Sequence, residues 1–190
     1  MAATEAIRQD EYGALREGAA LQRRPDAGVL RLRDVDRVDF LQRMTTNNIQ
    51  ALSAGQSCVT VLTSPTAKIV QVFTVVARAD DLLLLPARGE TAALLRHLRG
   101  QIFFMDKVQV EDLSAEYSRM RLLGPQALTV LAATGMQKQS LAEGDWQEHG
   151  GLLAVAQRQH DVPGFELLVP AGKESEIVER LAAQRMGVRA

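Results

Sequence analysis

The chain is short of most residues that announce chemistry. It has one cysteine, Cys58, in 190 residues. That excludes an internal disulfide and any multi-cysteine metal site. Inside an apolar run, a lone cysteine reads as a small hydrophobe; a nucleophilic dyad with a histidine is the lesser alternative. The three histidines, His97, His149 and His160, lie far apart and have no metal-ligand spacing. No glycine-rich phosphate loop, zinc spacing or nucleophile elbow is present. Net charge is -1 and no basic block stands out, so a phosphate backbone finds no electrostatic footprint and no nucleic-acid partner is expected. Aromatic residues make up only 4%, which leaves few rings to stack on a flat ligand. The N-terminus lacks an apolar stretch and carries Glu5 and Asp10 early, unlike a secretory signal. The longest apolar run, Leu82 to Ala87, is far below the ~20 residues that span a bilayer. These absences predict a soluble, cytoplasmic protein without membrane partners.

What is present is ordinary globular material, 46% apolar and 24% charged. Residues 4 to 20 suit a helix, ended by Arg23-Arg24-Pro25-Asp26. Gly28 to Arg33 alternates as a strand, and Asp36 is placed to cap a helix carrying Val38, Phe40, Leu41 and Met44. Cys58 to Leu62, Ile69 to Val76 and Leu82 to Leu85 read as strands of an antiparallel meander, with Ser64-Pro65-Thr66-Ala67 as a hairpin turn. Gly89 to Arg99 follows as a helix with Ala92, Leu95 and Leu98 on one face. A similar order then recurs. Strands at 108–111 and 118–123 lead into a helix opened by Pro125 and stopped by Gly135. A strand pair at 152–157 and 165–169 follows, and a last helix from Glu174 to Met186 turns Ile177, Val178 and Leu181 inward. The region from Met136 to Gly151 looks most loop-like. The expectation is an α+β fold of two similar lobes of mostly antiparallel sheet with packed helices, approximately 1–104 and 105–190.

A series of strings in order adds more. They are Glu11-Tyr12-Gly13-Ala14-Leu15-Arg16-Glu17; Phe40-Leu41-Gln42-Arg43-Met44-Thr45-Thr46-Asn47-Asn48-Ile49; Ala54-Gly55-Gln56; Leu62-Thr63-Ser64-Pro65-Thr66-Ala67-Lys68-Ile69; Met105-Asp106-Lys107-Val108-Gln109-Val110-Glu111-Asp112; Leu123-Gly124-Pro125-Gln126-Ala127; and Gly164-Phe165-Glu166-Leu167-Leu168-Val169-Pro170. Together they resemble the folate-binding half of the glycine-cleavage T-protein (aminomethyltransferase) family, and within it the bacterial folate-binding relatives known as YgfZ. The resemblance covers nearly all of this chain and the first part of a typical member. It implies a tetrahydrofolate ligand, one-carbon chemistry, and protein partners from glycine cleavage or iron–sulfur cluster assembly.

The same resemblance implies site residues. The turn Thr46-Asn47-Asn48 would border the folate cavity. Asn48 stands where the family carries an acid close to the reactive pterin nitrogens, so no catalytic residue is assigned with it. An amide is uncharged and is no base at neutral pH, and it cannot favour a developing cationic one-carbon centre as a carboxylate does. Read without the resemblance, the same turn is a helix end whose Thr and Asn side chains satisfy orphan carbonyls. Glu166 is the acid expected to accept two parallel hydrogen bonds from the pterin edge. Alternation puts it opposite Phe165, Leu167 and Val169, beside Leu168. Lys68 or Arg43 is available for the glutamyl carboxylates, although each also reads as a solvated charge. Three functions remain open: a folate-binding module with weak or no aminomethyl transfer, an aminomethyltransferase needing a further C-terminal part, and a non-catalytic interaction protein linked to iron–sulfur assembly.

Overall fold

The computed structural model describes residues 12–137, 141–159 and 161–183. Among the described residues, two five-stranded sheets carry the fold, and four α-helices, two 3-10 turns and a helical stretch at 12–17 accompany them. The chain divides into two compact units, but not near residue 104. Residues 25–117 form one unit; residues 1–24 and 118–190 form the other. The order of elements suggested a simple tandem, whereas the second unit takes its first strand from the N-terminus.

The inserted unit holds β2 (Leu30–Arg33), α1 (Arg37–Gln42), the meander β3 (Ser57–Thr63), β4 (Ile69–Ala77) and β5 (Asp81–Pro86), then α2 (Thr91–Gly100) and β6 (Gln109–Asp112). Its sheet order is β3-β4-β5-β2-β6. Alternation along the strands sends Leu30, Leu32, Phe73, Val75, Leu82 and Leu84 into one core with Phe40 and Leu41 of α1 and Leu94 and Leu98 of α2. The inward face of α2 therefore runs through Leu94 and Leu98, with Leu95 half-buried; Ala92 is exposed. Asp36 sits at the expected start of α1 but makes no cap bond with its side chain. Its carboxylate accepts from the Lys107 N–H instead, at 2.8 Å.

The discontinuous unit holds β1 (Ala20–Arg23), β7 (Tyr117–Leu123), α3 (Ala127–Leu131), the meander β8 (Trp146–His149), β9 (Leu152–Gln159) and β10 (Val162–Pro170), and α4 (Glu174–Ala182). Its order, β1-β7-β10-β9-β8, matches that of the other sheet element for element, with β1 beside β7 as β6 lies beside β2. The similarity of the lobes is thus topological, but one edge strand is supplied from before the repeat and the other from after it. β1 and β8 were not expected: residue 20 reads as helix, and 146–149 falls in a stretch that looks like loop. Both are short edge strands, whose pairing rather than pattern decides them. The turn after α3 ends at Gly135 with φ 90°, the left-handed geometry glycine adopts freely. The expected last helix is described to Ala182; Met186 lies outside the described residues, as do His160 and most of the expected N-terminal helix.

Candidate functional site

Glu166 lies in the middle of β10. Phe165, Leu167 and Val169 enter the core of their unit with Met120, Leu122, Ala154 and Leu181, so Glu166 projects from the other face of the sheet, as alternation predicts. It is 3% exposed. A bare carboxylate there would be very costly, and the neighbouring strand supplies the compensation. Arg119 and Arg121 are two residues apart on β7 and project to the same face. Arg119 contacts Oε1 through Nε at 2.7 Å and Nη2 at 2.5 Å. Arg121 Nε donates to Oε2 at 2.7 Å. Arg24, one residue past β1, donates Nη1 to Oε1 at 2.6 Å, and Gln157 of β9 donates Nε2 to Oε2 at 3.3 Å. Burial alone pushes the Glu166 carboxyl up, but the guanidinium charges of Arg119, Arg24 and Arg121 outweigh it and hold the group below the usual carboxylate value. Burial likewise pulls Arg119 down, against the opposing pull of Glu166.

Glu166 is therefore ionised and already fully supplied with donors from its own chain. Accepting the donor edge of a pterin as well would require displacing an arginine. The capacity left at this place is of the opposite kind: N–H donors of Arg24 and Arg121 that Glu166 does not use. Sequence reasoning missed all three arginines. The signal was there in Arg119-Met120-Arg121, two cations on one strand face, but only the pairing of β7 with β10 shows what they meet.

The turn Thr46-Asn47-Asn48 belongs to the other unit, so Glu166 is not part of the same local structure. The turn is locked by its own side chains. Thr45 Oγ1 donates to the Leu41 carbonyl at 3.0 Å, satisfying one helix end as the simple helix-end reading has it. The rest of the turn pairs with β3 rather than with α1. The Thr46 N–H donates to the Val61 carbonyl at 3.0 Å, and the Asn47 N–H to Thr60 Oγ1 at 3.1 Å. Asn47 spends both ends of its amide: Nδ2 donates to the Val59 carbonyl at 3.0 Å, and Oδ1 accepts the Asn48 N–H at 2.8 Å. Gln42 Oε1 accepts from the N–H groups of Ile49 and Gln50, at 2.7 and 3.1 Å. Asn48 opens the short 3-10 turn Ile49–Ala51 without a side-chain cap. Thr46, Asn47 and Asn48 are all exposed. Of the Asn47–Asn48 pair, only Asn48 has an amide that the turn does not consume.

Arg43 does not serve as a ready anion ligand, because its Nη2 bonds both oxygens of Asp106 at 2.9 Å. Lys68 is exposed next to the hairpin turn. Cys58 is half-buried against the core of its unit, and burial raises its thiol, so it does not behave as a ready nucleophile. Among the described residues no group of three or more His, Cys, Asp or Glu side chains could hold a metal ion, and no helix is long and apolar enough to cross a membrane.

Residues 2–190 match the family described as the GCVT N-terminal domain. An aminomethyltransferase of Listeria monocytogenes is 22% identical over 185 residues, which are 92% of this chain and 49% of that protein. A protein of Arabidopsis thaliana named as a chloroplastic transferase is 30% identical over 105 residues, 55% of this chain and 24% of the relative. Among solved structures, the glycine cleavage system aminomethyltransferase T of Bartonella henselae superposes with a TM-score of 0.85 at 22% identity, covering 95% of this chain and 49% of that one. The chain thus spans about half the length of the aminomethyltransferases it matches. It belongs to the GCVT N-terminal domain family, the N-terminal part of the glycine-cleavage T-protein family, and is an aminomethyltransferase-like domain.

Proposed function

We propose that this chain is a reduced-folate-binding domain with little or no aminomethyl transfer of its own. The observation that carries the reading is the ionised carboxylate of Glu166, fixed by three arginines on a sheet face that also carries Gln157 and the aliphatics Leu153, Val155 and Leu168. A buried ionic cluster of this kind stabilises a fold less than packed aliphatics would, so its retention favours a ligand-facing role. Bound tetrahydrofolate would supply the ring nitrogens that accept a one-carbon unit. The discontinuous unit would hold it through Glu166, which fixes the guanidinium donors of Arg24, Arg119 and Arg121; in the other unit, Thr46 and Asn48 keep exposed side chains on a turn that Asn47 shapes. Asn48 supports the weak-transfer part of the reading, because it adds no negative charge where the family resemblance expects an acid.

Titration of the full chain with tetrahydrofolate, followed by calorimetry or Trp146 fluorescence, tests this directly. Saturable binding without transfer is the expected result, and absence of binding at millimolar folate overturns it. The aminomethyltransferase names of the relatives favour a second reading, an active enzyme completed by further sequence. Transfer by this chain with glycine-cleavage partners present, as the parent or after Asn48→Asp, would favour that one. The iron–sulfur link and the cytoplasmic location rest on the initial resemblance and composition alone, and one relative bears a chloroplastic name.

A further inference from the structure

The sheet of the discontinuous unit has a second face, and a cavity opens there. His149 pairs with Leu152 across β8 and β9. Leu152 enters the core of the unit, and residues directly opposite on neighbouring strands share a face, so the His149 ring stands on the core side. Glu166 projects from the other side. Between the end of β8 and the first two turns of α4 lies a cavity of about 180 Å³. Its floor is apolar. Leu152 and Ile177 are buried, and Thr134 has already given its hydroxyl to the Leu131 carbonyl at 2.7 Å. A cavity of roughly 150 Å³ among aliphatic side chains is enough for a benzene ring.

The rim is cationic and has donors to spare. Lys173, at the start of α4, spends one of its three N–H groups on the Gly150 carbonyl at 3.0 Å, which fixes the ammonium at the cavity edge. Arg180 pairs through Nη2 with Glu176 Oε1 at 2.7 Å. Glu176 therefore balances Arg180, and Lys173 is left as the surplus charge. The His149 ring lies against the backbone of Gly135, where a Cβ would stand 2.7 Å from Nε2. Among the described residues its ring nitrogens have no hydrogen-bond partner.

We propose that this cavity binds a small organic monoanion, a carboxylate on an aromatic or branched aliphatic body. Lys173 takes the carboxylate, His149 adds a neutral hydrogen bond, and Leu152 and Ile177 cover the body. An inorganic anion would leave the apolar floor unused, and a neutral apolar molecule would leave the ammonium unused. The site is independent of the folate reading.

The test uses benzoate as the probe, titrated into the full chain at low ionic strength and followed by calorimetry and amide NMR. Benzyl alcohol and inorganic phosphate are the controls. Benzoate is expected to saturate at millimolar concentration or below, with shifts centred on the amides of Gly135, Gly150 and Gly151. Benzyl alcohol is expected to bind roughly tenfold more weakly, the worth of one charge-assisted hydrogen bond, and equimolar phosphate not to displace benzoate. Lys173→Gln keeps a donor for the Gly150 carbonyl but removes the charge, and weakens benzoate about tenfold; Lys173→Arg recovers most of that loss. Failure to saturate, equal affinity for benzyl alcohol, displacement by phosphate, shifts centred elsewhere, unchanged binding in Lys173→Gln, or a loss that Lys173→Arg leaves in place overturns the site.

Discussion

Glu166 stands at the centre of a buried ionic cluster, and there it carries stability. Glu166→Gln keeps the shape but leaves Arg24, Arg119 and Arg121 without their acid. Removing one side of a buried ionic cluster costs roughly 3–5 kcal/mol, and urea denaturation of the variant against the parent measures it. The same group sets an acid limit. Its folded carboxyl lies below the unfolded value, so its contribution is complete above the ordinary carboxylate range. It is lost as pH falls below roughly 4 and through the depressed folded value. Stability measured from neutral to acid pH should fall in that window for the parent, and the fall should be shallower in Glu166→Gln. At this scale alternation in the sequence revealed which strand face Glu166 takes. It hid the partners, because arginines at positions 24, 119 and 121 become neighbours of residue 166 only through sheet pairing across sequence separations of 45 to 142. It also suggested too much of Asn47, whose amide is consumed by local bonds that no pattern of residue types displays.

Two elements show how local conformation bears on this architecture. The hairpin between β3 and β4 places Ala67 at φ 59°, with its N–H donating to the Ser64 carbonyl at 2.9 Å. A residue with a Cβ is strained there by about 1 kcal/mol. Ala67→Gly relieves the strain while raising the entropy of the unfolded chain, so a net gain of a few tenths to about 1 kcal/mol in thermal or urea unfolding is expected. Gly164, two residues before Glu166, shows the reverse. A Cβ there would stand 2.3 Å from the Leu122 carbonyl oxygen and 2.9 Å from the Leu123 Cα. Neither backbone atom can swing away, so Gly164→Ala should destabilise by roughly 1–3 kcal/mol and loosen the approach of β10 to β7 on which the arginine contacts depend. Tetrahydrofolate titration of the folded fraction would report that loosening. The long strands and both principal helices were legible because alternation or helical spacing runs through several apolar residues. β1 and β8, four residues each, offer too little pattern.

For the whole molecule, the informative feature is the order of the two units along the chain. Residues 25–117 form a continuous stretch with a complete five-stranded sheet and a core of their own. Expressed alone, that stretch should unfold cooperatively, as seen by coincident circular dichroism and fluorescence-probe transitions. Residues 118–190 alone should not, since they lack β1 and Arg24. Two similar lobes were readable from the recurring order of strands and helices. Their boundaries were not, since an exchanged edge strand leaves no mark in composition.

During synthesis, β1 leaves the ribosome early and has nothing to bond. Its mate, Met120 opposite Arg23 through Leu123 opposite Ala20, arrives about a hundred residues later. In that interval the whole intervening stretch can become an ordered island. Once it has, the tether between the waiting edge and its mate shrinks from a long random coil to the span between residues 25 and 117, and closing the ring costs correspondingly little entropy.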